Sequence, residues 1–149
     1  MLWIILAAVA FFVVGSIMGL RVSPREKALG DLRENARKIG LHPRLLPAPE
    51  WAKVPMASET RASMIAYYSI LVSDGKFALM RATVDGEQRL QVLTGDSKFQ
   101  GQKVDLKGVY AVDMQANCVG LYWDESADYH GEQLDAMKAF LQSLAEQAR

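Results

Sequence analysis

The chain begins MLWIILAAVAFFVVGSIMGL and continues RVSPREKALGDLRENARKIG. The first twenty residues carry no charged side chain, and the next twenty carry nine. A chain of 149 residues builds one modest domain. Such a domain has no interior for a helix of this length that is apolar on every side. About twenty apolar residues, rising 1.5 Å each as a helix, cover the hydrocarbon thickness of a bilayer. Inside lipid the helix also pairs every backbone group within itself. Residues 1–20 are therefore expected to form a single transmembrane anchor. Ser16 is its only hydroxyl, and a helix accommodates it by hydrogen bonding to its own carbonyls. A cleaved signal peptide would show a basic start, a shorter apolar core and a small-residue site after it. Here no Lys or Arg precedes the apolar run, and Ala7, Ala8 and Ala10 lie inside it. The anchor is expected to stay attached.

Charge sets the expected orientation. Arg21, Arg25, Lys27, Arg33, Arg37 and Lys38 all follow the span closely. Flanking cations stay on the cytoplasmic side. The short N-terminus is then outside, and residues 21–149 lie in the cytoplasm against an inner membrane. Trp3 suits the far interface. Anionic lipid headgroups are the expected partners of Arg21, Arg25 and Lys27. Gly15 and Gly19 share a helix face and would permit close contact with another membrane helix.

Residues 21–40 read as a second, basic juxtamembrane helix. Ser23 is placed to cap it, Pro24 to occupy its first position and Glu26 its third. Gly40 suits the C-terminal cap, with Arg37 and Lys38 near the negative end of the helix dipole. Ala28, Leu29, Leu32, Ala36 and Ile39 form an apolar stripe. Two environments suit that stripe: the lipid interface and a protein surface. Residues 41–55 contain Pro43, Pro47, Pro49 and Pro55 and read as an extended connector. Leu45, Leu46 and Trp51 imply that this connector docks on the chain's own domain.

Residues 56–149 are expected to form a cytoplasmic α+β domain. MASETRASMIA is ambiguous, with Ser58 a candidate cap for a short helix. The segments AYYSILV, FALMRATV and EQRLQVL, separated by turns at Asp74-Gly75 and Asp85-Gly86, predict two consecutive hairpins in an antiparallel meander. KVDLKGVYAVDM and NCVGLYWDE bring the expected sheet to four or five strands. Leu134, Met137, Phe140, Leu141 and Leu144 share one face of a C-terminal helix that would cover the sheet.

The charge balance divides along the chain. Residues 21–49 hold seven Lys/Arg against three Asp/Glu, while residues 50–149 hold ten against fourteen. An acidic domain is a poor nucleic-acid binder, because phosphates reward positive charge. No nucleic-acid partner is expected. Cys118 is the only cysteine, so no internal disulfide forms. A nucleophilic role would require a neighbouring base, and the sequence supplies none. Asp124, Glu125, Asp128 and His130 gather oxygen and imidazole groups in WDESADYH, but match no standard metal spacing. Negative charge ahead of a helix explains them more simply. No phosphate loop or hydrolase motif occurs. No catalytic residue, metal or cofactor is assigned. Tyr67, Tyr68, Tyr110, Tyr122 and Trp123 would suit either a ligand groove or cross-strand packing.

Two functions follow. The first is a membrane-anchored, non-catalytic accessory or scaffold subunit that binds or positions a larger membrane protein. The second is a membrane-associated enzyme or small-ligand sensor, with Asp113, Cys118, Asp124, Asp128 and His130 as its polar groups. A single site holding a carboxylate together with Cys118 or His130 would favour the second.

Overall fold

The structure is a computed structural model that describes residues 1–19, 23–52, 54 and 64–148. Arg21 and Ser58, with the helix start suggested for it, lie outside the described residues.

The first helix, α1, is Leu2–Gly19, with no charged residue and none of its residues buried. It is long and apolar enough to cross a membrane. The second helix, α2, is Pro24–Lys38. Its N-terminus is fixed as its sequence implies, with the Glu26 amide donating to Ser23 Oγ at 3.2 Å and Pro24 at the first position. Its C-terminus closes through Gly40 at φ +97°. The Leu41 amide donates to the Ala36 carbonyl and the Gly40 amide to that of Arg37, at 3.0 and 3.1 Å. That paired arrangement needs the left-handed conformation that glycine adopts without penalty.

The apolar stripe of α2 packs on the domain. Leu32 and Ala36 are buried in its main core, and Leu29 and Ile39 pack against it. The amphipathic pattern is therefore satisfied by protein.

The sheet has six antiparallel strands rather than four or five. They are β1 (His42–Pro47), β2 (Met64–Leu71), β3 (Phe77–Val84), β4 (Leu90–Thr94), β5 (Val109–Ala116) and β6 (Cys118–Trp123). The additional strand is β1, from the proline-rich segment read as a connector. Proline is tolerated there because β1 is an edge strand. Pro43 and Pro47 have the same parity, so both can turn their missing N–H outward while residues 42, 44 and 46 serve β2.

The expected meander is also corrected. The spatial order is β1-β2-β6-β5-β3-β4, so β2 and β3 are not neighbours. The hairpin β5–β6 lies between them. Asp74-Gly75 belongs to a crossing that rounds the tip of that hairpin. The Val72 amide donates to the Asn117 carbonyl at 2.8 Å, and Phe77 pairs with Ala116. Asp85-Gly86 does join two paired strands, β3 and β4. There Asp85 Oδ1 accepts from the amides of Glu87 and Arg89, each at 2.9 Å. The positive φ in this turn falls on Gln88, at 58°.

The outer side of β4 is closed too. The Leu90 amide donates to the Gln102 carbonyl, and the Leu90 carbonyl accepts from Gly101. The Val92 amide is taken by the Gln100 side chain at 2.8 Å. Both sheet edges are thus blunted against adding a strand.

The third helix, α3 (Leu134–Ala148), buries Leu134, Met137, Leu141, Leu144 and Ala145. Together α2 and α3 cover one sheet face over Tyr68, Met80, Val112, Leu121 and Trp123. The other face carries a smaller cluster of Ile65, Tyr67, Ala111 and Tyr122, with Ala52 and Trp51 from the turn Glu50–Ala52.

Candidate functional site

Strand alternation sorts the aromatic residues that the sequence presents as one group. Neighbours along a strand point to opposite faces. Tyr68 and Trp123 enter the helix-covered core, with ring centroids 5.1 Å apart and nearly perpendicular. Tyr67 and Tyr122, cross-strand partners, lie on the smaller face at 4.7 Å. Trp51 meets Tyr122 edge-on at 5.8 Å. The Arg81 guanidinium lies 5.5 Å from the Trp51 ring centroid, a cation–π placement.

The polar centre of this smaller face is Tyr67. Its ring lies diagonally across Gly120, and any Cβ at that position would overlap the ring. The missing side chain opens a path from β2 across β6 to β5. The Tyr67 hydroxyl uses it to donate to Asp113 Oδ1 at 2.6 Å. The Cys118 sulfur lies 3.6 Å from the same hydroxyl. Since the phenol proton is directed at Asp113, the thiol is the donor in this second contact. The result is a chain from Cys118 to Tyr67 to Asp113.

Burial raises the Asp113 pKa, while the Tyr67 hydrogen bond and the charge of Arg81 oppose the shift. Burial also keeps the Tyr67 phenol protonated far above the ordinary tyrosine range, reinforced by the Asp113 charge. Tyr122 is pushed up to about 12, again mainly by burial. Within this group Asp113 is the carboxylate, and it is joined to the thiol only through the Tyr67 hydroxyl. An acid whose native pKa is raised binds more protons folded than unfolded. Asp113 should therefore lower folding stability as pH rises from about 4 through its native value. Asp113→Asn should flatten that part of the profile. Denaturant midpoints of the full chain in detergent micelles test this, and identical profiles for both proteins would contradict it.

A second network fastens α2. Arg33 donates from Nε to Glu125 Oε2 at 3.0 Å and from Nη2 to Oε1 at 2.7 Å. Tyr68 donates to the same Oε2 at 2.6 Å. The Glu125 side chain is only 8% exposed and Arg33 28%. This two-point grip joins residues 92 apart in sequence. Its role is structural, because every polar atom of the carboxylate is engaged.

The remaining sequence candidates do not join either group. Asp124 Oδ1 accepts from the amide and hydroxyl of Ser126 at 3.0 and 2.6 Å, capping the short turn Glu125–Asp128. Asp128 accepts from the amides of Glu132 and Gln133 at 3.1 and 2.8 Å, ahead of α3. His130 is exposed. Among the described residues no group of three His, Cys, Asp or Glu side chains could hold a metal ion. Of the five polar candidates, the fold brings together Asp113 and Cys118, through the Tyr67 hydroxyl, which sequence spacing did not connect to them. Gly120 was the available signal, because a glycine inside an apolar strand often marks close approach of another group.

Comparison with protein-family models, curated proteins and solved structures finds no match for this chain.

Proposed function

We propose that this chain is a membrane-anchored, non-catalytic accessory or scaffold subunit that binds or positions a larger membrane protein. In this reading α1 is a single span of the inner membrane, with the N-terminus outside and the folded domain in the cytoplasm. The observation that carries it is α1 itself. Its eighteen residues are uncharged and unburied, and neither core cluster of the domain includes any of them. Exposed Arg25 and Lys27 support both the orientation and contact with anionic headgroups. Among the described residues, nothing beyond the helix's own neighbouring backbone comes within 4 Å of a Cβ placed on Gly15 or Gly19, which suits that helix face to a partner span. With both sheet edges blunted, the partner is expected to meet side chains or α1 rather than extend the sheet. Mild detergent extraction should recover the chain together with a larger membrane protein.

The meeting of Asp113 and Cys118 at Tyr67 favours a second reading, a small-ligand sensor or enzyme on the smaller sheet face. It loses Asp124, Asp128 and His130, which serve turns or face solvent.

A further inference from the structure

The direction of α2 decides which end of the domain lies nearest the bilayer. The strand β1 starts opposite Ser69 and ends opposite Met64. The α2 helix reaches the start of β1 through three residues, so its C-terminus occupies the Ser69 end of the sheet. From there the helix lies back toward the other end. A Cβ on Gly131 would touch both Leu32 and Leu134, and Arg33 grips Glu125 just past the end of β6. The N-terminus of α2 lies about 12 Å beyond Leu32 along the helix axis.

This near end also carries the turn at Asp85–Arg89, the approach to β5 at Asp105–Gly108 and the segment 124–132. The β5–β6 tip at Ala116–Cys118 and the crossing at 74–76 lie at the far end, about 26 Å away along an eight-residue strand. Five peptide steps separate Gly19 from Pro24, a reach of at most about 18 Å in any conformation. The buried Leu32 and Ala36 and the Arg33–Glu125 grip prevent α2 from acting as a loose extension of that tether.

We propose that the near end of the domain, made by the start of α2 and the loops 85–89, 105–108 and 124–132, rests against the lipid headgroup layer. This rests on the reading of α1 as a membrane span. Contact is imposed by the tether whatever the lipid charge, since exposed Asp85, Glu87, Asp105 and Glu132 stand there beside exposed Arg25, Lys27, Arg89 and Lys107. It should therefore form on zwitterionic lipid.

The test uses the full chain in phosphatidylcholine vesicles containing a lipid with a photoreactive diazirine on its headgroup. A parallel sample carries the diazirine in the acyl chain, and adducts are mapped by mass spectrometry. Headgroup adducts should be several-fold more abundant on residues 24–28, 105–108 and 124–132 than on 74–76 and 116–118. Equal labelling of the two ends, or more at the far end, overturns the proposal if the acyl probe labels α1. Absence of acyl labelling on α1 overturns both this proposal and the membrane anchor beneath it.

Discussion

Replacing Arg33 with methionine should lower the folding stability of the domain by about 2–4 kcal/mol. The substitution keeps the aliphatic stem but leaves the Glu125 carboxylate, 8% exposed, without its guanidinium. The Tyr68 hydroxyl at 2.6 Å would be the remaining donor of the network. Most of the loss comes from an unpaired charge in a poorly solvated place, since a good ion pair and an apolar substitute are otherwise close in energy. Arg33 is partly exposed, so the range lies below that for a fully buried pair. Adding Glu125→Gln to Arg33→Met should recover part of the loss, because a neutral amide can still accept from Tyr68. Chemical denaturation of the full chain in micelles measures both. A single variant within about 0.5 kcal/mol of the parent, the level of an ordinary surface change, would contradict the clamp.

Gly120→Ala should be the second large effect, about 1–3 kcal/mol. The added methyl group would enter space held by the Tyr67 ring. That ring cannot simply move aside, since it packs on Tyr122 at 4.7 Å and donates to Asp113 at 2.6 Å. Displacing it strands a carboxylate that burial already strains toward its neutral form. Combining Gly120→Ala with Tyr67→Ala should give a loss well below the sum of the single losses, because one change makes room for the other. Additive losses would mean that Gly120 is required for some reason other than the tyrosine.

Features dictated by neighbouring residues were legible in the sequence. The apolar run of α1, the Ser23 and Gly40 caps of α2 and the α3 stripe each follow from one local period or one capping rule. The positions of five strands follow from alternation and turn residues. What escaped depends on distant pairing. Prolines 43 and 47 argue against a strand until the strand is known to lie at an edge. An Asp-Gly pair signals a turn, but not which strands become neighbours. The Asp74-Gly75 turn serves a crossing because β5 and β6, supplied more than thirty residues later, fill the space between β2 and β3. The same holds for the polar groups. Arg33 and Glu125 gave no sequence hint of each other. Asp113, Cys118 and Tyr67 meet through the register of three strands, with Gly120 as the opening.

We propose that the chain serves as an anchored subunit of a larger membrane assembly. The most direct test is chemical crosslinking in native membranes, followed by mild detergent extraction and capture of the full chain. The expected result is a discrete crosslinked species containing a larger membrane protein, with the uncrosslinked partner co-purifying in the same detergent. Recovery of only a monodisperse monomer, without crosslinks to another protein, would contradict it.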